Sequence, residues 1–298
     1  MRIENIERTA VIGAGLMGSQ IAEILSRVGG YQVRMTDIND ELLSKAFHAI
    51  EERLERFFVS KGKLTAEEKK DILGRIEKSK AIEQAVGNID FAIEAVSENL
   101  ALKKDIFKKL DSAVPTDAIL ASNTSYQNIS EMAAVTKRPD RVVGMHFFNP
   151  VAVMQLVEVI RGAHTSDQTV QVASSLARRL GKEAVVCRDT SYGFLANRAY
   201  MMGLMNESIQ MVWERVACPG DIDKALKLGY NLPVGPLELG DRIGSWALRA
   251  SAEEDSLREL GDKGRLHPLI RTMVRAGYTG GTSGKGIYAF WDEVMSKW

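Results

Sequence analysis

Cysteine is scarce: Cys187 and Cys218 are the only two in 298 residues, with no metal-type spacing between them. That excludes a disulfide framework and argues against a zinc cluster, so two buried thiols in a reducing compartment and no metal site are expected. Long apolar runs are missing too. None approaches the roughly 18 to 20 residues that span a bilayer, and no membrane partner is expected. The segment from Met1 to Arg8 holds acids and no apolar stretch, unlike a secretion signal or a transit peptide, which makes the cytoplasm the expected location. Excess charge of either sign is absent, because 39 lysines and arginines balance 39 aspartates and glutamates. A neutral chain has no general pull toward nucleic acid, so any anionic ligand must be held locally. Internal repeats and low-complexity linkers are lacking as well. What is there is ordinary globular composition, 45% hydrophobic and 26% charged, in a chain long enough for about two domains.

Thr9-Ala10-Val11-Ile12 is a short β-branched run ending at Gly13, and Leu16 to Val28 places apolar residues at helical spacing. An extended pattern resumes from Gln32 to Asp37 after the Gly29-Gly30 break, completing a unit of two parallel strands and a crossover helix. From Asn39 to Lys80 the chain is charged and free of proline, with a stop at Lys61-Gly62-Lys63. This predicts a hairpin of two helices rather than another strand, the second helix opened by the capping box Thr65-Ala66-Glu67-Glu68. Strand-like runs return at 89–95, 118–122, 141–146, 155–160 and 184–187, separated by helical segments at 100–110 and 169–180. The alternation predicts a doubly wound α/β domain over residues 1–190. Past Asp189-Thr190-Ser191-Tyr192-Gly193 long helical stretches take over, which predicts an all-helical domain over 191–298. Its segment from Phe194 to Val216 carries Met201, Met202, Leu204, Met205, Ile209, Met211 and Trp213. That is more than one apolar stripe, so burial on more than one side is expected.

Gly13-Ala14-Gly15-Leu16-Met17-Gly18 fits the G-x-G-x-x-G pattern, which means little alone. Here it follows a predicted strand, opens a predicted helix, and is followed by Asp37 at the end of the next strand. Gly13 permits a tight turn, Gly15 lets backbone amides approach a pyrophosphate, and Gly18 lets the helix pack closely on the strand. The helix N-terminus then faces the phosphates. Asp37 is placed to accept from both hydroxyls of the adenosine ribose, and its charge repels a 2′-phosphate, so the expected cofactor is NAD rather than NADP. The mundane reading is a structural turn with Asp37 as a helix cap.

Gly144-Met145-His146-Phe147-Phe148-Asn149-Pro150 ends a strand with a histidine, where α/β sheets present groups to a bound dinucleotide. Glu158 lies twelve residues on, across the Pro150 turn, and meets His146 if the two segments pair. A carboxylate on one ring nitrogen fixes the tautomer and leaves the other nitrogen to exchange a proton with an alcohol, as a dehydrogenase requires.

His146-Phe147-Phe148-Asn149-Pro150, with Ala121-Ser122-Asn123-Thr124-Ser125 before it and Leu156-Val157-Glu158-Val159-Ile160 after it, closely resembles the NAD-dependent L-3-hydroxyacyl-CoA dehydrogenases, including the bacterial 3-hydroxybutyryl-CoA dehydrogenases. The resemblance runs nearly end to end and takes in Glu94 to Leu100, Asp221 to Ala225, Pro233 to Pro236 and Gly277 to Tyr288. It implies a Rossmann-type doubly wound sheet with a helical-hairpin insertion, followed by a helical substrate-binding and dimerisation domain. It further implies His146 as catalytic base, Glu158 as its orienter, and Ser125 and Asn197 as contacts for the substrate's oxygens. Glu98, Lys103 and Asn149 match cofactor-touching positions. Arg53 and Lys61, on the hairpin, are candidates for the phosphates of the acyl-CoA thioester. Without the resemblance, Ser125 reads as a helix cap, Asn197 as a polar helix residue, and Lys103 and Lys61 as solvated charges. The chain departs from the family at Tyr192 (usually proline), Tyr126 (serine), Leu232 (histidine) and Thr282 (lysine), which bears on acyl preference and cofactor affinity. Two other functions compete: a dehydrogenase of a free 3-hydroxy acid or sugar acid, and a non-catalytic NAD-binding structural protein.

Overall fold

The computed structural model describes residues 3–189 and 193–297. The chain divides into two compact units, Met1–Thr190 and Ser191–Trp298. The departure at Tyr192 lies outside the described residues.

The first unit is built on one sheet of eight strands: β1 (Arg8–Ile12), β2 (Gln32–Thr36), β3 (Ile76–Ser79), β4 (Phe91–Glu94), β5 (Ile119–Ser122), β6 (Val142–Phe147), β7 (Leu156–Arg161) and β8 (Glu183–Arg188). Their spatial order is β3-β2-β1-β4-β5-β6-β7-β8. β1 to β6 are parallel, which places their C-terminal ends along one edge of the sheet, and the order reverses between β1 and β4. β7 runs antiparallel to β6, with His146 directly opposite Glu158. The central strands read as short apolar runs because both faces are covered; β4 and β5 are buried at every position. The helices are α1 (Leu16–Arg27), α2 (Asp40–Leu54), α3 (Ala66–Gly74), α4 (Ile82–Val86), α5 (Leu100–Ala113), α6 (Ile129–Ala133) and α7 (Asp167–Arg179).

The hairpin reading of 39–80 needs one correction. α2 and α3 form, a π-type turn closes α2 at Glu55–Val59, and both halves of the capping box at Thr65 and Glu68 are made. The stretch then ends in a strand, β3, parallel to β2. Ile76-Glu77-Lys78-Ser79 buries only Ile76, since an edge strand has one neighbour, and so its sequence lacks the apolar run that marks the inner strands.

The second unit is helical: α8 (Leu195–Asn197), a π-type stretch (Arg198–Met205), α9 (Asn206–Trp213), α10 (Pro219–Gly229), α11 (Pro236–Ile243), α12 (Ser245–Ser251), α13 (Glu253–Leu260), α14 (Pro268–Arg275) and α15 (Ile287–Glu293). Its core gathers Met205, Ile209, Val212, Leu237, Trp246, Leu269, Ile270, Met273, Ile287 and Phe290. The 194–216 segment does not meet the expectation of burial on several sides. One stripe (Met205, Ser208, Ile209, Val212) is buried, whereas Trp213 and Val216 are 45% and 65% exposed. The rest of the apolar excess is only partly covered: Met201 and Met211 pack half-buried against the core, and Trp213 stands edge-on to His267 at 6.0 Å between centroids.

Candidate active site

The dinucleotide turn lies where the strand order reverses. Gly13 has φ +106°, and a Cβ there would stand 2.7 Å from the carbonyl oxygen of Ala95. At Gly18 a Cβ would stand 1.9 Å from the Gly13 carbonyl oxygen, so only hydrogen allows α1 to lean on the turn. Gly15 is different: it caps α1 with no side-chain acceptor, and the space a Cβ would take is open. The first amides of a twelve-residue helix therefore point toward room for a phosphate. Ala14 is buried, Met17 half-buried and Leu16 exposed beside this opening. Asp37 accepts from Ala14 N at 2.8 Å, which anchors its carboxylate beside the same turn. The cap of α2 is Asn39, so the helix-cap reading of Asp37 fails. Glycine packing, open amides and the anchored acid together fit NAD.

The pair built by β6 and β7 is buried: His146 is 4% exposed and Glu158 0%. Register alone brings them together, and Nδ1 of the imidazole lies 2.7 Å from Oε2 of the carboxylate. A carboxylate only accepts, so Nδ1 carries the proton and the lone pair sits on Nε2. Phe148 packs against the ring at 4.4 Å between centroids. Asn123 supports the same strand end, its Oδ1 accepting from Phe147 N at 2.9 Å. Cys187 is half-buried rather than buried, and burial pushes its thiol up to about 11, with Glu158 and Asp189 adding to the effect. Cys218 is also half-buried and donates to Asp221.

Ser125 follows β5, and its position is set through the backbone. Glu98 accepts from Ser125 N at 2.6 Å and from Thr124 Oγ1 at 2.7 Å. Asn128, not Ser125, caps α6. Lys103 is not a solvated charge: it is 1% exposed, its ammonium donating to Glu94 at 2.8 Å and lying 3.5 Å from Glu98. Glu94 in turn accepts from Ser122 Oγ at 2.6 Å. Burial pushes the Glu94 carboxyl above the usual range, and Lys103 pulls the other way. The sequence signal for Glu94, Ser122 and Lys103 was polar residues at apolar positions, which has to be hydrogen-bonded to be tolerated.

Asn149 is exposed, and its Oδ1 accepts from Gln20 of α1 at 2.9 Å. Arg53 pairs with Glu23 at 2.7 Å and lines an open groove of about 730 Å³ with His48, Arg56, Phe57, Ser60 and Lys69. Three glutamates, Glu51, Glu52 and Glu55, share that groove, so its charge is mixed. Lys61 stands outside it at the hairpin tip, 5.6 Å from the Phe57 ring. Asn197, half-buried, ends α8 in the second unit. Of the departures, Tyr126 and Leu232 are half-buried and Thr282 is exposed.

Residues 8–190 match the family profile "3-hydroxyacyl-CoA dehydrogenase, NAD binding domain", and residues 193–290 match "3-hydroxyacyl-CoA dehydrogenase, C-terminal domain". The Bacillus subtilis (strain 168) protein named probable 3-hydroxybutyryl-CoA dehydrogenase is 46% identical over 97% of this chain and 99% of its own length. Human mitochondrial hydroxyacyl-coenzyme A dehydrogenase is 36% identical over 96% of this chain and 91% of its own. The crystal structure of (S)-3-hydroxybutyryl-CoA dehydrogenase from Ralstonia eutropha matches with a TM-score of 0.87 at 40% identity, covering 95% of this chain and 99% of that one. The chain belongs to the NAD-dependent 3-hydroxyacyl-CoA dehydrogenase family, with the family's NAD-binding domain first and its C-terminal domain second.

Proposed function

We propose that the protein interconverts an L-3-hydroxyacyl-CoA and its 3-oxoacyl-CoA with NAD, His146 acting as general base and acid and Glu158 orienting it. The observation that carries this reading is the buried 2.7 Å contact between Nδ1 and the carboxylate, which sets the proton-accepting lone pair on Nε2. In oxidation, Nε2 takes the proton of the C3 hydroxyl, and in reduction it returns that proton to the carbonyl oxygen. NAD, when bound, accepts the hydride from C3. Ser125 and Asn197 donate hydrogen bonds to the substrate oxygens, and the Glu98 carboxylate holds the Ser125 backbone in place for that task. Arg53 and Lys61 attract the CoA phosphates to the hairpin. The relatives named for 3-hydroxybutyryl-CoA favour a short acyl chain.

The exposed Leu228, Tyr230, Ile243 and Leu248 of the helical unit, with Trp213 and Val216, favour pairing of two copies through that unit. Light scattering should then give twice 32.9 kDa, and a value near 32.9 kDa would exclude the pairing. NAD, a CoA thioester and two unbridged thiols are at home in the cytoplasm.

The decisive assay follows NADH oxidation with acetoacetyl-CoA and with free acetoacetate, for the parent protein and for His146→Ala. Turnover with the thioester alone, lost in the variant, supports the reading. Turnover with the free acid alone, or an active His146→Ala, overturns it.

A further inference from the structure

The turn between His146 and Glu158 is gripped by two buried polar side chains for which proton and hydride transfer have no direct use. Gln20, 6% exposed, stands one turn into α1, the helix that opens at the dinucleotide site. Its Nε2 donates to Asn149 Oδ1 at 2.9 Å and to the Leu16 carbonyl at 3.2 Å, and its Oε1 accepts from Val151 N at 2.8 Å. From the other side Lys182 donates to the carbonyls of Val151 and Met154. Side chains thus hold both backbone polar groups of Val151, inside the loop that joins the base to its orienter.

The three contacts of Gln20 also fix a direction. The Val151 N–H can only donate and the Leu16 carbonyl can only accept, so the Gln20 amide has one allowed orientation. Its nitrogen must face Asn149, which in turn must offer its oxygen inward. The Asn149 carboxamide therefore turns its Nδ2 donors outward, on an exposed residue three positions from His146 and bonded to a side chain one turn into α1.

We propose that Gln20 is a positioning residue for hydride transfer, which fixes the donor end of the Asn149 carboxamide toward the bound dinucleotide. This rests on the function proposed above. Gln20→Glu tests it with little change of shape: one carboxylate oxygen still accepts from Val151 N, but the other opposes the Asn149 oxygen, so the carboxamide turns over and presents an acceptor. Gln20→Leu removes all three contacts.

Four proteins are compared (parent, Gln20→Glu, Asn149→Ala and the double variant) for NADH affinity by fluorescence and for kcat and KM with acetoacetyl-CoA. Gln20→Glu and Asn149→Ala should each weaken NADH affinity or kcat about tenfold. The double variant should be no worse than Asn149→Ala, because Gln20 acts through that side chain. In the cofactor-free protein, Gln20→Leu should speed hydrogen exchange at the Val151 amide about tenfold or more, which reads the grip without any turnover. Parent-like affinity and kcat in Gln20→Glu, losses that multiply in the double variant, or unchanged exchange in Gln20→Leu would overturn the proposal. If His146→Ala is inactive while Gln20→Glu behaves as the parent, only the role of Gln20 falls. If the parent does not reduce acetoacetyl-CoA, the functional reading falls, and NADH affinity with exchange still decides on Gln20.

Discussion

Replacing Glu158 by glutamine keeps the side chain's volume and removes its charge. In the proposed reaction His146 gains a proton in the transition state, and the cation forms against a carboxylate 2.7 Å from Nδ1 in a buried setting. Two unit charges about 4 Å apart attract by ~4 kcal/mol at an effective dielectric constant near 20. Proton transfer is partial at the transition state, so ~2 to 4 kcal/mol of that is lost, or roughly 30- to 1,000-fold in kcat at 1.36 kcal/mol per tenfold. The amide brings a second penalty. If its nitrogen faces Nδ1, the ring is driven to the other tautomer and Nε2 ceases to be the acceptor. NADH affinity should hold, since the change lies outside the glycine turn, and melting should move little because a buried charge becomes a neutral group. The assay is acetoacetyl-CoA reduction at saturating NADH, with KM and kcat resolved. A Glu158→Gln protein with the parent's kcat would refute the assignment of Glu158 as orienter, whatever its KM.

Gly18→Ala should abolish NADH binding and lower stability by ~1 to 3 kcal/mol, because its Cβ meets the Gly13 carbonyl oxygen at 1.9 Å and backbone must shift; unchanged affinity by fluorescence titration would contradict this. His267 predicts acid sensitivity in the helical unit. Its Nδ1 accepts from Leu269 N and caps α14, while Nε2 contacts Gln210, so the cap requires the neutral ring. Burial, helped by the charge of Arg249, holds His267 below its ordinary value of 6.5. A depressed folded value adds stability above pH 6.5 that is lost as pH falls below it. His267→Asn keeps a capping side chain without titrating, so the fall in Tm between pH 7.5 and 5.5 should shrink; an equal fall in both proteins counts against it.

Much of the first unit was legible because its signals are local. The β-branched run before Gly13, the glycine spacing, the capping box at Thr65 and the apolar inner strands are each written within a few residues. β3 was not legible, because an edge strand needs no apolar run and is defined by pairing with β2. Burial of the helix after Phe194 was overread: composition records how much apolar surface exists, and packing decides which part is covered. Without the resemblance Lys103 reads as a solvated charge, and only the fold shows it buried against Glu94 and Glu98. Gln20 had one faint signal, a polar side chain on the buried face of an apolar helix.

The sequence by itself determined the dinucleotide turn, because glycine's missing side chain and the amides of a helix start act over a few neighbouring residues. It also supplied the imidazole and the acid. Only the tertiary structure decided that these two meet, through an antiparallel register that sets His146 opposite Glu158. Only the fold, too, brings Gln20 to Asn149 across 129 residues of chain and Lys103 to Glu94 in the dark of the core. Pairing of strands and burial of polar groups are sums over distant neighbours, and no short window of sequence contains them.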